Sequence, residues 1–214
     1  MAVYACGKVS IMTTASQNGC GKTQAERYTH MELSVSIYAK DTQTAAFTAA
    51  KQLLSDSAQL PVILCIGSDK VTGDCLGPMV GHLLTRRHNV PAYVYGTMEF
   101  PVTAKNLAAA LSFIHTVHRG ARVLAIDAAL GNAKDIGMLF FRRQGLYAGK
   151  AVGKEFPLAG DYSVTAVVNS GGENDGSKLF STSMYTVIRL AEQLAAAISA
   201  ACTEKRQLHA GAAV

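Results

Sequence analysis

The stretch Pro61-Val-Ile-Leu-Cys-Ile-Gly-Ser-Asp-Lys-Val-Thr-Gly-Asp-Cys-Leu-Gly-Pro78 decides the fold. Val62 to Ile66 is an unbroken apolar run bounded by Pro61 and Gly67, the pattern of a strand buried on both faces. A polar loop punctuated by glycines follows and carries carboxylates at Asp69 and Asp74. Leu76-Gly77-Pro78 then opens an amphipathic segment with Met79, Val80, Leu83 and Leu84 at helical spacing, and proline suits a first helical turn because no N–H bond is lost there. Strand, acidic loop and helix in that order place ligand chemistry at the carboxyl end of a strand in an open α/β sheet.

Outward from this unit, apolar periodicity predicts a helix over 42–55, short strands over 92–95, 121–127, 137–142 and 163–169, a helix over 105–118 and a long final helix over 177–201. Helices between the early strands imply a largely parallel sheet covered on both faces. The expected architecture is a three-layer α-β-α fold around a twisted, mostly parallel sheet of about five strands. Residues 41–201 form the domain, 1–40 an N-terminal extension and 202–214 a frayed tail. The extension holds only weak strand-like pieces at Val9–Met12 and Leu33–Tyr38.

Composition narrows the class. The 214 residues are 49% hydrophobic and 16% charged, enough for one well-filled α/β core. No apolar run approaches the roughly 20 residues of a membrane span, and no signal-peptide pattern opens the chain, so the expected place is the cytoplasm, with no membrane partner. The five cysteines are odd in number and form no CxxC pair, which argues against a disulfide framework or a zinc site. The net charge of +5 is spread thinly, and the Arg86-Arg87-His88 cluster falls in the last turn of a predicted helix, where cations suit the helix dipole. No nucleic-acid footprint is present.

Three patterns invite a chemical reading. Ser16 to Thr23 approaches the phosphate-cradling loop GxxxxGK[ST], but Ser16 replaces its first glycine and no apolar helical stripe follows Thr23. His115 and His118 share a helix face with no third ligand nearby in sequence, which reads as a solvated face. The third pattern is the aspartate pair. Asp74 follows the first core strand and Asp127 ends the third, so in a parallel sheet both reach the same edge. Two facing carboxylates can share a proton and work as acid and base, or hold a divalent cation that activates water. The bland alternative is that Asp74 caps its helix and Asp127 closes a turn. The helix start at Gly77 offers free N–H groups to a developing oxyanion, and Lys154 adds positive charge. Asp69, Glu99 and Asp161 complete the candidate cleft set.

A family resemblance bears on the choice. Ile66-Gly-Ser-Asp-Lys-Val-Thr-Gly-Asp-Cys-Leu-Gly-Pro78 resembles the GTDRSTGDxLGPLVG signature of the sporulation protein YyaC family. Tyr95-Gly-Thr97, Pro101-Val102, Asn106-Leu107, Ala125-Ile-Asp-Ala128, Leu130-Gly131, Val152-Gly-Lys-Glu155 and Thr165-Ala-Val-Val-Asn169 keep that family's order, over about residues 42–198. The family is similar to the germination protease that degrades small acid-soluble spore proteins, and more remotely to proteases that trim hydrogenase large subunits. The resemblance implies a phosphorylase/hydrolase-like fold and a catalytic aspartate pair at Asp74 and Asp127. It implies a protein or peptide substrate, with small acid-soluble spore proteins as candidates, and work in the sporulating cell or forespore. No cofactor is implied by the germination-protease likeness, whereas the hydrogenase-processing relatives place metal-binding carboxylates and a histidine in this cleft. Thr103 stands where the family often has a histidine, and Gly149–Lys154 departs from its GAGVNK run, which weakens the metal alternative. The expected function is a sporulation-associated endopeptidase, and the alternative is a non-catalytic sporulation protein that binds a partner in the same cleft. The oligomeric state leaves no mark in the sequence.

Overall fold

The computed structural model describes residues 10–12, 32–56, 59–148, 157–172 and 175–211. Chain order is β1 (Ser10–Met12), β2 (Glu32–Ser36), α1 (Thr42–Leu54), β3 (Val62–Cys65), α2 (Leu76–Arg86), β4 (Tyr93–Tyr95), α3 (Leu107–Val117) and β5 (Val123–Gly131). A 3₁₀ turn (Ala133–Asp135) leads to β6 (Met138–Arg142), β7 (Leu146–Tyr147), β8 (Leu158–Ala159), β9 (Tyr162–Ser170), α4 (Ser177–Phe180) and α5 (Met184–Gly211).

The sheet begins with β3, whose four residues are all buried. Alternation sends Val62 and Leu64 to one face and Ile63 and Cys65 to the other. Val62 and Leu64 join a cluster with Leu107, Leu111 and Ile114 of α3 and with Ala148 and Ala159 beside the β7–β8 hairpin. Ile63 and Cys65 join the larger cluster under α1, α2 and α5. Both faces are therefore covered, which is why the strand reads as a continuous apolar run. The three-layer α-β-α fold is confirmed.

Among the described residues the sheet has seven strands in the order β1-β2-β6-β9-β5-β3-β4, rather than about five. β9, β5, β3 and β4 pair in parallel, while β6 and the two strands beyond it pair antiparallel. The reversal at β6 has a simple cause. The stretch 132–137 that separates β5 from β6 is too short for the crossover of a dozen or more residues that a parallel return needs.

The first added strand comes from the segment expected to lie outside the domain. β2 pairs along β6 from Glu32↔Arg142 to Ser36↔Met138, and Leu33, Val35 and Ile37 are buried in the main core. A five-residue strand with alternating apolar positions is a weak signal by itself. Its partner β6, which begins at Met138, is what makes it a strand. The phosphate-loop-like segment 16–23 lies outside the described residues.

The final helix also departs from expectation. The carbonyls of Lys178 and Leu179 are taken by other donors: the Thr182 hydroxyl at 3.0 Å and the Asn169 amide at 2.9 Å for the first, and the Gly73 N–H at 2.8 Å for the second. Side-chain and loop donors thus compete with the helical ladder, and α4 stops at Phe180 before α5 begins at Met184. At the other end α5 runs past Ala201 to Gly211. Cys202 is buried, Glu204 pairs with Lys51 at 2.8 Å and Lys205 donates to the Gln59 carbonyl at 2.9 Å.

Leu33→Ala removes a side chain buried between β2 and the main core. Urea unfolding should show a loss of about 2–4 kcal/mol. A change within error would mean that β2 adds nothing to the fold.

Candidate active site

The acid loop, residues 67–75, is built by close backbone approaches. Gly67 has φ +145°, and a Cβ there would collide with the carbonyl oxygen of Asp74. Only glycine lets the two ends of the loop meet so closely. At Gly77 a Cβ would strike the Ile66 carbonyl, so the first turn of α2 rests directly on the end of β3. Gly77, expected to serve the cleft, thus seats the helix. The loop is held on both sides: Gly67 N–H donates to Val102 O at 2.9 Å, and Gly73 N–H to Leu179 O at 2.8 Å. Across its neck Ser68 N–H donates to Asp74 O at 3.1 Å.

Asp127 comes to this loop along β5. Cys65 and Ile126 are register partners, and Ile66 N–H donates to Ile126 O at 2.8 Å, so Asp127 lies beside the point where β3 ends and the acid loop begins. Burial pushes the Asp127 carboxyl well above the usual carboxylate range, the nearby Asp74 charge adds to the rise and the Ala128 backbone N–H opposes it. Burial raises Asp74 as well, and the Ser68 amide pulls it back. Two carboxyls that share a poorly solvated edge differ in how readily they ionise, and Asp127 is the one that keeps its proton longer.

The structure thus brings Asp74 and Asp127 together and scatters the others. Asp69 is exposed at the outer part of the acid loop. Glu99 pairs with Arg86 at 2.8 Å, and both side chains are exposed. Asp161 is at the wrong end of the sheet: it accepts the Val123 N–H at 2.8 Å and Arg122 at 3.1 Å, about 13 Å along β5 from Asp127 at about 3.3 Å per residue. Its job is to tie β9 to the start of β5. Lys154 lies outside the described residues. His118 leaves its expected solvated face, since its ring meets the Tyr95 hydroxyl at 2.7 Å and stacks on Tyr93 at 4.1 Å. Cys75 is buried, its Sγ donates to the Thr72 carbonyl at 3.0 Å, and burial and the Asp74 charge raise its thiol, which makes it an inert packing group.

Two neighbours of the pair escaped sequence reading. Thr165 on β9 is the register partner of Asp127, and it accepts a 3.0 Å bond from Arg142 Nη1 on β6. Paired residues of parallel strands share a face, so this hydroxyl and guanidinium belong to the Asp127 side of the sheet. The signal was present in the alternation of Ser163 and Thr165 within the apolar first part of the strand, 162–168.

Among the described residues no group of three or more His, Cys, Asp or Glu is placed to hold a metal ion.

Comparison with known proteins gives two findings. The family described as "Protein of unknown function (DUF1256)" matches residues 35–197. A Bacillus subtilis (strain 168) protein named "Uncharacterized protein YyaC" is 35% identical over 170 residues, which cover 77% of this chain and 83% of that protein.

Asp127→Asn tests the raised carboxyl. The folded state holds the Asp127 proton above the pH at which the unfolded chain releases it, so stability falls as pH rises through that window. The variant should melt higher than the wild type at pH 7, with the difference vanishing below about pH 4, where the unfolded carboxyl is itself protonated. Equal melting temperatures at pH 7 would show that Asp127 is ionised without penalty.

Proposed function

The chain belongs to the YyaC (DUF1256) family, and on that footing we propose that it is a peptide hydrolase whose reaction is run by Asp74 and Asp127. The family's descriptions name no activity, so the reading rests on geometry and on the likeness of Asp74-Cys-Leu-Gly-Pro78 and Ile126-Asp-Ala128 to the germination protease. One observation carries it. Two carboxyls meet at the carboxyl edge of a parallel sheet, and burial sets Asp127 apart as the proton holder.

Asp74, on the loop, acts as base. It takes a proton from water as the water oxygen bonds to the scissile carbonyl carbon. Asp127 gives its proton to the carbonyl oxygen. The tetrahedral species collapses as the C–N bond breaks. Asp74 passes its proton to the leaving amine, and Asp127 recovers one from the hydroxyl that becomes the new carboxyl group. This division of labour is that of coupled carboxyl pairs with separated affinities. α2 starts at Leu76, two residues after the base, and the positive end of its dipole lies at the same edge. The expected substrates are small acid-soluble spore proteins, and the expected place is the sporulating cell or forespore.

The test is incubation of the full chain with purified small acid-soluble spore protein, with and without EDTA, read by mass spectrometry. Discrete cleavage insensitive to EDTA is expected, and Asp74→Asn and Asp127→Asn should each lower kcat by about a hundredfold or more. Cleavage abolished by EDTA would reassign the pair to metal ligation. No cleavage while the spore protein still binds would favour a non-catalytic partner-binding protein.

A further inference from the structure

One polar side chain beside the aspartate pair is tied on one side only. Thr165 is the register partner of Asp127 on the neighbouring parallel strand, so the two side chains rise from the same face. Its hydroxyl oxygen accepts from Arg142 Nη1 at 3.0 Å. A guanidinium has donors only, so the hydroxyl keeps its own hydrogen to give. Among the described residues no acceptor takes that hydrogen. The hydroxyl is also within reach of a ligand, since along 162–168 Thr165 alone is not buried.

The bond from Arg142 is a selective one. Register places Ser163, not Thr165, opposite Arg142, and the Ser163 hydroxyl is buried with no partner among the described residues. The guanidinium nevertheless extends to Thr165, with Cζ 5.2 Å from the centre of the Phe140 ring, and Phe140 is the residue opposite Thr165 on β6. The aromatic face and the hydroxyl hold the cation between them. A cation that donates to a hydroxyl oxygen polarises the O–H bond and makes it a stronger donor. Arginine stays charged at any working pH, so the polarisation is permanent. The strand spacing sets where the hydrogen can go. Neighbouring strands stand about 4.8 Å apart. One oxygen atom seated above Asp127 and Thr165 can therefore accept from both at about 2.8 Å each, because twice that length spans the gap.

We infer that Thr165 is a further catalytic residue, the second donor to the carbonyl oxygen that Asp127 protonates, and that Arg142 is its positioning residue. This rests on the hydrolase reading of the same site. Across the edge the order is then base, acid and donor: Asp74 on the loop after β3, Asp127 on β5 and Thr165 on β9, the strand that flanks β5 on the side away from β3. The scissile carbonyl lies over β5 with its carbon toward Asp74 and its oxygen toward Thr165. Thr165 transfers no proton. Its hydrogen bond strengthens as negative charge grows on the oxygen and relaxes when the tetrahedral species collapses, so it stabilises the transition state more than the bound substrate.

Steady-state kinetics of the full chain on purified small acid-soluble spore protein test the assignment. Thr165→Val keeps the shape of the side chain and removes the hydroxyl. It should lower kcat about a hundredfold, the usual loss of one oxyanion donor, and leave KM within about twofold. Thr165→Ser keeps the hydroxyl and should hold kcat within about threefold of the wild type. Arg142→Met should lower kcat about tenfold, and in the Thr165→Val background it should add less than about twofold, because the hydroxyl it acts through is already gone. Both Thr165 variants should melt with the wild type. Wild-type kcat in Thr165→Val overturns the proposal and leaves the aspartate pair its role. A loss carried by KM alone overturns it too, as does a Thr165→Ser protein as slow as Thr165→Val or a fall in melting temperature that tracks the fall in kcat. Losses from Arg142→Met and Thr165→Val that multiply in full overturn the positioning role of Arg142. Failure of the wild type to cleave removes the hydrolase reading and the donor role with it.

Discussion

The contact of Gly77 with the carbonyl of Ile66 governs the rest of the functional edge. It brings the first turn of α2 onto the last residue of the β3 run, closer than any side chain allows. With that distance set, the nine residues 67–75 must fold into a narrow loop, and Gly67 turns sharply enough to let the Asp74 carbonyl approach. Asp74 is then held above the edge where β5 delivers Asp127. The placement of the pair follows from a packing contact that itself contains no titratable group.

The same geometry carries an energetic cost. A carboxyl placed beside the apolar cluster of Val62, Leu64, Val123 and Ala125 is poorly solvated, and a second carboxyl nearby adds to the strain. Folding must tolerate a group that would be more stable in water. Sites that do chemistry often keep such groups at the expense of stability. The stabilising side of the balance is the large cluster on the other face, where alanine-rich stretches of α1 and α5 lie close together and α2 packs beside them.

The antiparallel half of the sheet has a separate task. Without β2, β6 would be an open edge with unpaired backbone groups, an invitation to association. β2 covers it along five register pairs and brings Leu33, Val35 and Ile37 into the core. On the inner side β6 carries Arg142, which reaches Thr165, the register partner of Asp127. The strand therefore links the margin of the sheet to the candidate site.

The strong local patterns were readable from the chain alone. The Val62–Ile66 run, the acid loop and the helix opened by Pro78 needed no distant partner, because burial on both faces and the glycine spacing are written within one stretch. The aspartate pair was readable too, since parallel strands deliver their carboxyl ends to one edge. What depends on distant contacts was not readable. β2 is a strand because of β6, α4 stops because Gly73, Asn169 and Thr182 take its carbonyls, and α5 continues past Ala201 with Lys51 and Gln59 meeting Glu204 and Lys205. Asp161 and Glu99 were carboxylates in promising loops until tertiary structure paired them with Arg122 and Arg86. Sequence by itself determined which residues can carry charge at a strand end. Only the folded chain decided which of those charges meet each other and which meet an arginine, because that choice is made by backbone approaches between segments far apart in the sequence.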